Sequence, residues 1–187
     1  MVPGTYASNT IYIKSPTTTG IGSSLTVMGI LKLLANDGAA SDNFGFSVSI
    51  SEDGLTVIVG APFDDASRGS AYIYKYINDV WTQQKITATF GEAGDRFGDS
   101  VSISGDGLTV IVGAWASLGV RGSAYVYKYI NASWSQTQKL TASDGAGSDY
   151  FGYSVSISGD GLTAIVGAYR DDDKGSNSGS AYIFNYL

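Results

Sequence analysis

Residues 44–61 read FGFSVSISEDGLTVIVGA, residues 97–114 read FGDSVSISGDGLTVIVGA and residues 151–168 read FGYSVSISGDGLTAIVGA. Their leading phenylalanines, Phe44, Phe97 and Phe151, stand 53 and 54 residues apart. A fixed period of this size marks a solenoid, a propeller or an array. The first segment of each unit alternates: Val101 and Ile103 point one way and Ser100, Ser102 and Ser104 the other, the period of a half-buried strand. A tight turn follows, SEDG or SGDG, in which Gly54, Gly107 and Gly161 can take positive φ. The second strand, LTVIVGA, is nearly continuous in apolar residues, as expected of a strand covered on both faces.

Beyond a variable loop (PFDDASR, WASLGVR or YRDDDKGSNS) comes a third strand, GSAYIYKY, GSAYVYKY or GSAYIFNY. The fourth is WTQQKITA or WSQTQKLTA, and a Gly/Asp-rich loop leads to the next Phe-Gly. The stretch VMGILKLLAN at 27–36 carries helix formers. Yet LKLLANDGAASDNFG, from residue 31, aligns with QKLTASDGAGSDYFG, from residue 138, so 31–36 is expected to be the fourth strand of a unit. Four antiparallel strands in every fifty or so residues describe a propeller blade.

Phe-Gly at the head of each unit and Gly60-Ala61-Pro62 after its second strand resemble the FG-GAP repeat, the blade of the integrin α-chain propeller and of many bacterial, archaeal and viral surface proteins. Gly113-Ala114-Trp115 and Gly167-Ala168-Tyr169 vary the same phrase. The resemblance covers roughly 31–187. It implies an all-β fold of three four-stranded antiparallel propeller-type blades, at about 31–83, 84–137 and 138–187. Residues 1–30 lie outside the repeat. Their strand-like runs NTIYIKS and SSLTVMG are expected to form an N-terminal extended β-arm too small for a core of its own. The family relation also implies an extracellular, cell-surface or virion-surface setting, but the fold hosts many functions.

Composition narrows those functions. Apolar residues are 43% and charged residues 15%, with 25 Gly and 13 Tyr, which suits strands joined by tight turns. A net charge of −6 with no basic cluster argues against nucleic-acid binding. No apolar run is long enough for a membrane-spanning helix, and the opening MVPGTYASNT lacks the pattern of a signal peptide. With no Cys and no His, disulfides, thiolate nucleophiles, imidazole bases and the usual zinc ligands are excluded. Acids in turns and loops offer no defined catalytic pair, so the chain is expected not to be an enzyme and to need no cofactor.

The resemblance also implies a calcium loop of alternating acids between the first and second strands. Here that connection is only SEDG or SGDG, too short for a shell of six to eight oxygens. Asp53, Asp106 and Asp160 are therefore read as turn formers, and no metal is expected there. Asp42, Asp95 and Asp149, two residues before each phenylalanine, are read as acceptors of loop backbone N–H groups. Asp64 and Asp65 in the first unit and Asp171, Asp172 and Asp173 in the third are the remaining calcium candidates, against the plainer reading of a solvated charged loop. The tyrosines of the third strand, Tyr125, Tyr127 and Tyr129 among them, either pack between blades or present a row to a sugar or protein. Asn131-Ala132-Ser133 matches a glycosylation acceptor in an expected turn.

Counting strands, the repeated part opens on a fourth strand and closes on a third. Three blades are too few to close a propeller, and unpaired strand edges associate unless covered. The expectation is completion between copies: Leu31, Lys32, Leu33, Leu34, Ala35 and Asn36 of one subunit pair with Ala181, Tyr182, Ile183, Phe184, Asn185, Tyr186 and Leu187 of the next. The function so read is a self-assembling structural subunit of a filament whose partner is itself. The alternative is a closed oligomeric ring that recognises a glycan or cell-surface protein through its loops.

Overall fold

The computed structural model describes residues 31–185 and 187, Leu118 by its backbone alone. The expected N-terminal arm at 1–30 and Tyr186 lie outside the described residues. Ala35–Leu187 forms one unit.

Within that unit the chain is all-β, in three consecutive antiparallel sheets. The first holds β1 (Val48–Ile50), β2 (Thr56–Ala61), β3 (Ser70–Ile77) and β4 (Val80–Ile86), in that spatial order. The second repeats it with β5 (Ser100–Ile103), β6 (Thr109–Ala114), β7 (Ser123–Ile130) and β8 (Ser133–Leu140). The third holds β9 (Phe151–Ile157), β10 (Thr163–Ala168) and β11 (Ser180–Asn185), with β11 at an edge. These are propeller-type blades, each strand pairing with its sequence neighbour.

Turn chemistry sets the hairpins. Gly54, Gly107 and Gly161 have φ of 71°, 67° and 69°, where a side chain would be strained. Beside them Asp53, Asp106 and Asp160 each accept the N–H two residues on and the hydroxyl two residues back: Leu55 and Ser51, Leu108 and Ser104, Leu162 and Ser158. The second hairpin turns on Asn78-Asp79 and Asn131-Ala132, all with positive φ, which matches the right-handed strand twist. Asn131 is exposed at that turn. Asp42, Asp95 and Asp149 are buried and accept the N–H of Ala39, Glu92 and Ala146.

The expectation of a fourth strand at 31–36 needs correction. Leu31 to Ala35 lie in neither strand nor helix, and Asn36 begins a turn. The counterparts of Leu33 are Ile86 and Leu140, which pair with Ala71 and Ala124 in the third strand of the sheet they finish. A strand exists only by its ladder, and none of the ladders formed by the described strands includes residues 31–36.

Candidate assembly site: the seam between blades and its open ends

The core of this molecule lies between sheets. Ile58, Ile73 and Ile86 of the first blade pack with Val101, Ile103, Val110 and Val112 of the second in one buried cluster. Ile111, Val126 and Leu140 of the second pack likewise with Ala164 and Val166 of the third, partly covering Val155 and Ile157. The alternating serines stitch the same seam. Ser47 Oγ donates to the Gly98 carbonyl and Ser100 Oγ to the Gly152 carbonyl, each at 2.8 Å. Ser49 Oγ accepts the Ile103 N–H and Ser102 Oγ the Ile157 N–H, each at 3.2 Å. Between turns, Glu52 N–H reaches the Gly105 carbonyl and Gly105 N–H the Gly159 carbonyl. A methyl group on Gly60 would overlap the Gly98 carbonyl oxygen, and one on Gly113 that of Gly152. The Gly-Ala phrase is thus a close backbone approach between neighbouring blades.

The two outermost surfaces carry the same groups without a neighbouring blade among the described residues. Val48 and Ile50 of the first blade are 69% and 61% exposed, whereas their counterparts Val101 and Ile103 are at most 9% exposed. Ile165 and Ile183 of the third blade are 45% and 66% exposed, whereas Ile58, Ile111, Ile73 and Val126 are at most 1% exposed. The seam serines of the third blade, Ser154 and Ser156, are exposed too. One end therefore presents the second half of a seam and the other end the first half.

A polar cluster lies at the outer edge of each blade. In the first, Lys85 on β4 sits opposite Tyr72 on β3. Its ammonium is 2.6 Å from Asp37 Oδ2 and 2.6 Å from Asp64 Oδ2, and the Tyr72 hydroxyl donates to Asp64 Oδ2 at 3.1 Å. Burial works against the charged ammonium, but hydrogen bonds to Asp37 and Asp64 outweigh it and hold Lys85 protonated well above the usual lysine range. The Lys85 hydrogen bond holds Asp37 below the usual carboxylate range. At Asp64 burial pushes upward, and Lys85 reverses the sign. Burial raises the Tyr72 phenol. The second blade keeps the lysine and tyrosine, with Lys139 5.4 Å from the Tyr125 ring centre, but has Ser117 and Phe90 where the first has Asp64 and Asp37.

In the third blade the acids return. Tyr182 Oη lies 2.9 Å from Asp144 Oδ1 and 2.9 Å from Asp171 Oδ2. Burial and then the two carboxylates raise the Tyr182 phenol. Asp171 is held low by the Asp173 N–H and then by Tyr182. Lys85 and Lys139 have no counterpart on the described strands of this blade, because β10 is the one neighbour of β11 among them.

The acids read as calcium candidates are thus dispersed. Asp64 and Asp171 are buried beneath their tyrosines, which corrects their reading as a solvated loop, while Asp65, Asp172 and Asp173 are exposed. Asp65 pairs with Arg68 at 2.8 Å. Among the described residues no three carboxylates converge so as to hold a metal ion. Tyr72, Tyr125 and Tyr182 pack edge-on against Phe44, Phe97 and Phe151 of their own blades. The sequence reading missed the seam serines, whose alternation was visible but whose acceptors were not. It also missed Lys85, although the recurrence of lysine at 32, 85 and 139 could have found it.

A family model described as FG-GAP repeat matches residues 30–74, 81–127 and 134–184. No curated protein matches the chain. Among solved structures, KlAtg21 in complex with the coiled coil of AgAtg16 is similar at 11% identity and TM-score 0.51, covering 75% of this chain and 39% of that one. The hydrazine synthase of Kuenenia stuttgartiensis is similar at 13% identity and TM-score 0.48, covering 81% and 36%. TolB from Acinetobacter baumannii is similar at 14% identity and TM-score 0.43, covering 74% and 29%. The chain spans less than half the length of these structures. The first of them bears on the fold alone.

Proposed function

The chain belongs to the FG-GAP repeat family, and on that premise we propose that it is a propeller-type binding module whose ligand is a further copy of itself. It is a non-enzymatic structural subunit of a cell-surface, extracellular or virion-surface assembly. The observation that carries this reading is the pair of unmatched apolar ends: Val48 and Ile50 on one, Ile165 and Ile183 on the other, each exposed where its internal counterparts are buried. Contiguous exposed apolar surface marks an interaction site. Because the two ends are the two halves of one seam, the contact is head-to-tail. Such contacts close into a ring if the rotation allows, two copies giving six blades, or run on as a helical filament. The filament is the form favoured here, for a heterologous contact propagates unless its rotation closes.

Mass photometry and negative-stain microscopy of the 1–187 chain over a dilution series test this. Discrete rings or filaments are expected, lost in Ile183→Asp and in Val48→Asp, each of which keeps the fold by circular dichroism. A monodisperse monomer at all concentrations removes the reading.

A second reading has its own observation. Trp115, Tyr150, Tyr153 and Tyr169 form one cluster of ring contacts with centroids 4.6–6.3 Å apart, with Arg170 over Tyr150 at 4.8 Å. Tyr153 and Tyr169 are exposed. Such a surface suits a glycan or protein ligand, and a glycan array with wild type and Tyr169→Ala tests it.

A further inference from the structure

We infer that Asp144, Asp171 and Tyr182 form a lysine-binding cradle, and that its occupant is Lys32 of a second copy of this chain, carried on a strand that pairs with β11. This deepens the head-to-tail reading above and rests on it.

The cradle is incomplete in charge and in protons. Two carboxylate oxygens lie 2.9 Å from one phenolic oxygen. A phenol has a single proton to donate, so one of these approaches has no hydrogen in it. The first blade shows what such a site holds. There the equivalent pair, Asp37 and Asp64, beside the equivalent Tyr72, shares the ammonium of Lys85, 2.6 Å from each. An ammonium supplies three donors, enough for both carboxylates.

The position of that lysine is set by strand pairing. Lys85 lies opposite Tyr72 and Lys139 opposite Tyr125, followed by Ile86 opposite Ala71 and Leu140 opposite Ala124. Residues 31–36, LKLLAN, align with QKITAT at 84–89 and QKLTAS at 138–143, with Lys32 at the lysine position and Leu33 at the Ile86 position. Lys32 is exposed, and among the described residues it makes no ion pair. Pairing in the inherited register sets Lys32 opposite Tyr182, Leu33 opposite Ala181 and Leu31 opposite Ile183. The exposed Leu31 and Ile183 then cover each other, and the backbone of β11 gains a ladder. A heterologous contact of this kind joins one end of a copy to the other end of the next.

Two experiments on the 1–187 chain decide it. Lys32→Glu is expected to raise the concentration for half-assembly by about tenfold or more, and Lys32→Glu with Asp144→Lys in the same chain to return it to within about threefold of wild type. The chain has no native Cys, so Leu33→Cys with Ala181→Cys, oxidised, reports register. A ladder of covalent multimers is expected, and much less of it from Leu34→Cys with Ala181→Cys. If wild type assembles but Lys32→Glu assembles equally well, or the two cysteine pairs cross-link alike, the cradle inference is overturned and head-to-tail assembly stands. A cross-link confined to single chains overturns the second copy as occupant. A wild-type chain still monomeric at about 50 µM overturns both readings, since an association this weak would not sustain an assembly.

Discussion

The seam between the first and second blades and the outer surface of the third blade share matching residues on their first three strands, and among the described residues only the seam has a neighbouring blade. Ile73 is buried in the seam and its counterpart Ile183 is two-thirds exposed. Ser47 donates across the seam to Gly98, while its counterpart Ser154 is exposed. Lys85 fills the Asp37–Asp64 cradle, while Asp144 and Asp171 share one phenolic proton. A repeat sequence therefore encodes half-interfaces, and stability arises where two halves meet.

The comparison breaks most readily at the Gly-Ala phrase. Gly113→Ala sets a methyl group into the Gly152 carbonyl, a backbone atom that cannot yield alone. It should cost about 3 kcal/mol or more in urea unfolding. Gly167→Ala meets only the Ser154 hydroxyl, which can rotate away, and should cost well under half as much. Equal losses would mean that close approach between blades does not explain these glycines.

Apolar truncation comes next. Ile73→Ala should destabilise by about 2–4 kcal/mol, because it empties buried volume in the seam. Under dilute monomeric conditions Ile183→Ala should stay within about 0.5 kcal/mol. A large loss at Ile183 in the monomer would show that its surface is covered within one chain.

The charged cradle sharpens the contrast at a smaller scale. Lys85→Met leaves Asp64 buried without its cation and should cost about 1–2 kcal/mol at pH 7, whereas Lys139→Met, with Ser117 and Phe90 around it, should cost less. The pH dependence has a definite sign. Asp37 and Asp64 have folded pKa values below the ordinary 3.8. Their contribution is present above that value and lost as the pH falls through the folded values. The Lys85 pKa is raised, so its contribution is complete below the ordinary 10.5 and lost only as the pH rises through the higher folded value. The penalty of Lys85→Met should therefore hold from pH 5 to 9 and shrink below about pH 4. A penalty that persists unchanged at pH 2.5 would point to lost packing of the lysine stem instead.

The smallest expected effect is that of calcium. With tight turns between first and second strands and dispersed acids after the Gly-Ala phrase, thermal midpoints in EDTA and in millimolar CaCl2 should agree within about 1 °C. A clear gain with Ca2+ would direct attention to Asp171, Asp172 and Asp173.

Much of this was legible in the sequence because period and turn chemistry are local. The spacing of Phe44, Phe97 and Phe151 set the number of blades. The SGDG turns with Gly107 and Gly161 set the first hairpins, and Asn131 marked the second. The role of Asp42, Asp95 and Asp149 followed from their place in a loop. Other features depend on groups some fifty residues apart. No pattern along the chain says that Ser100 meets the Gly152 carbonyl. None says that Asp64 and Asp171, in acidic loops, turn inward beneath tyrosines. Residues 31–36 carry the residues of a fourth strand, and the tertiary structure withholds the assignment because a ladder needs two members. The amino-acid order determined the repeating unit, its strands and its turns, since these rest on side-chain alternation and φ preferences within a few residues. Which apolar faces are buried, which serines are bonded and which lysine is held was decided by the stacking of one blade on the next, where hydrophobic burial and desolvated charge require a partner surface.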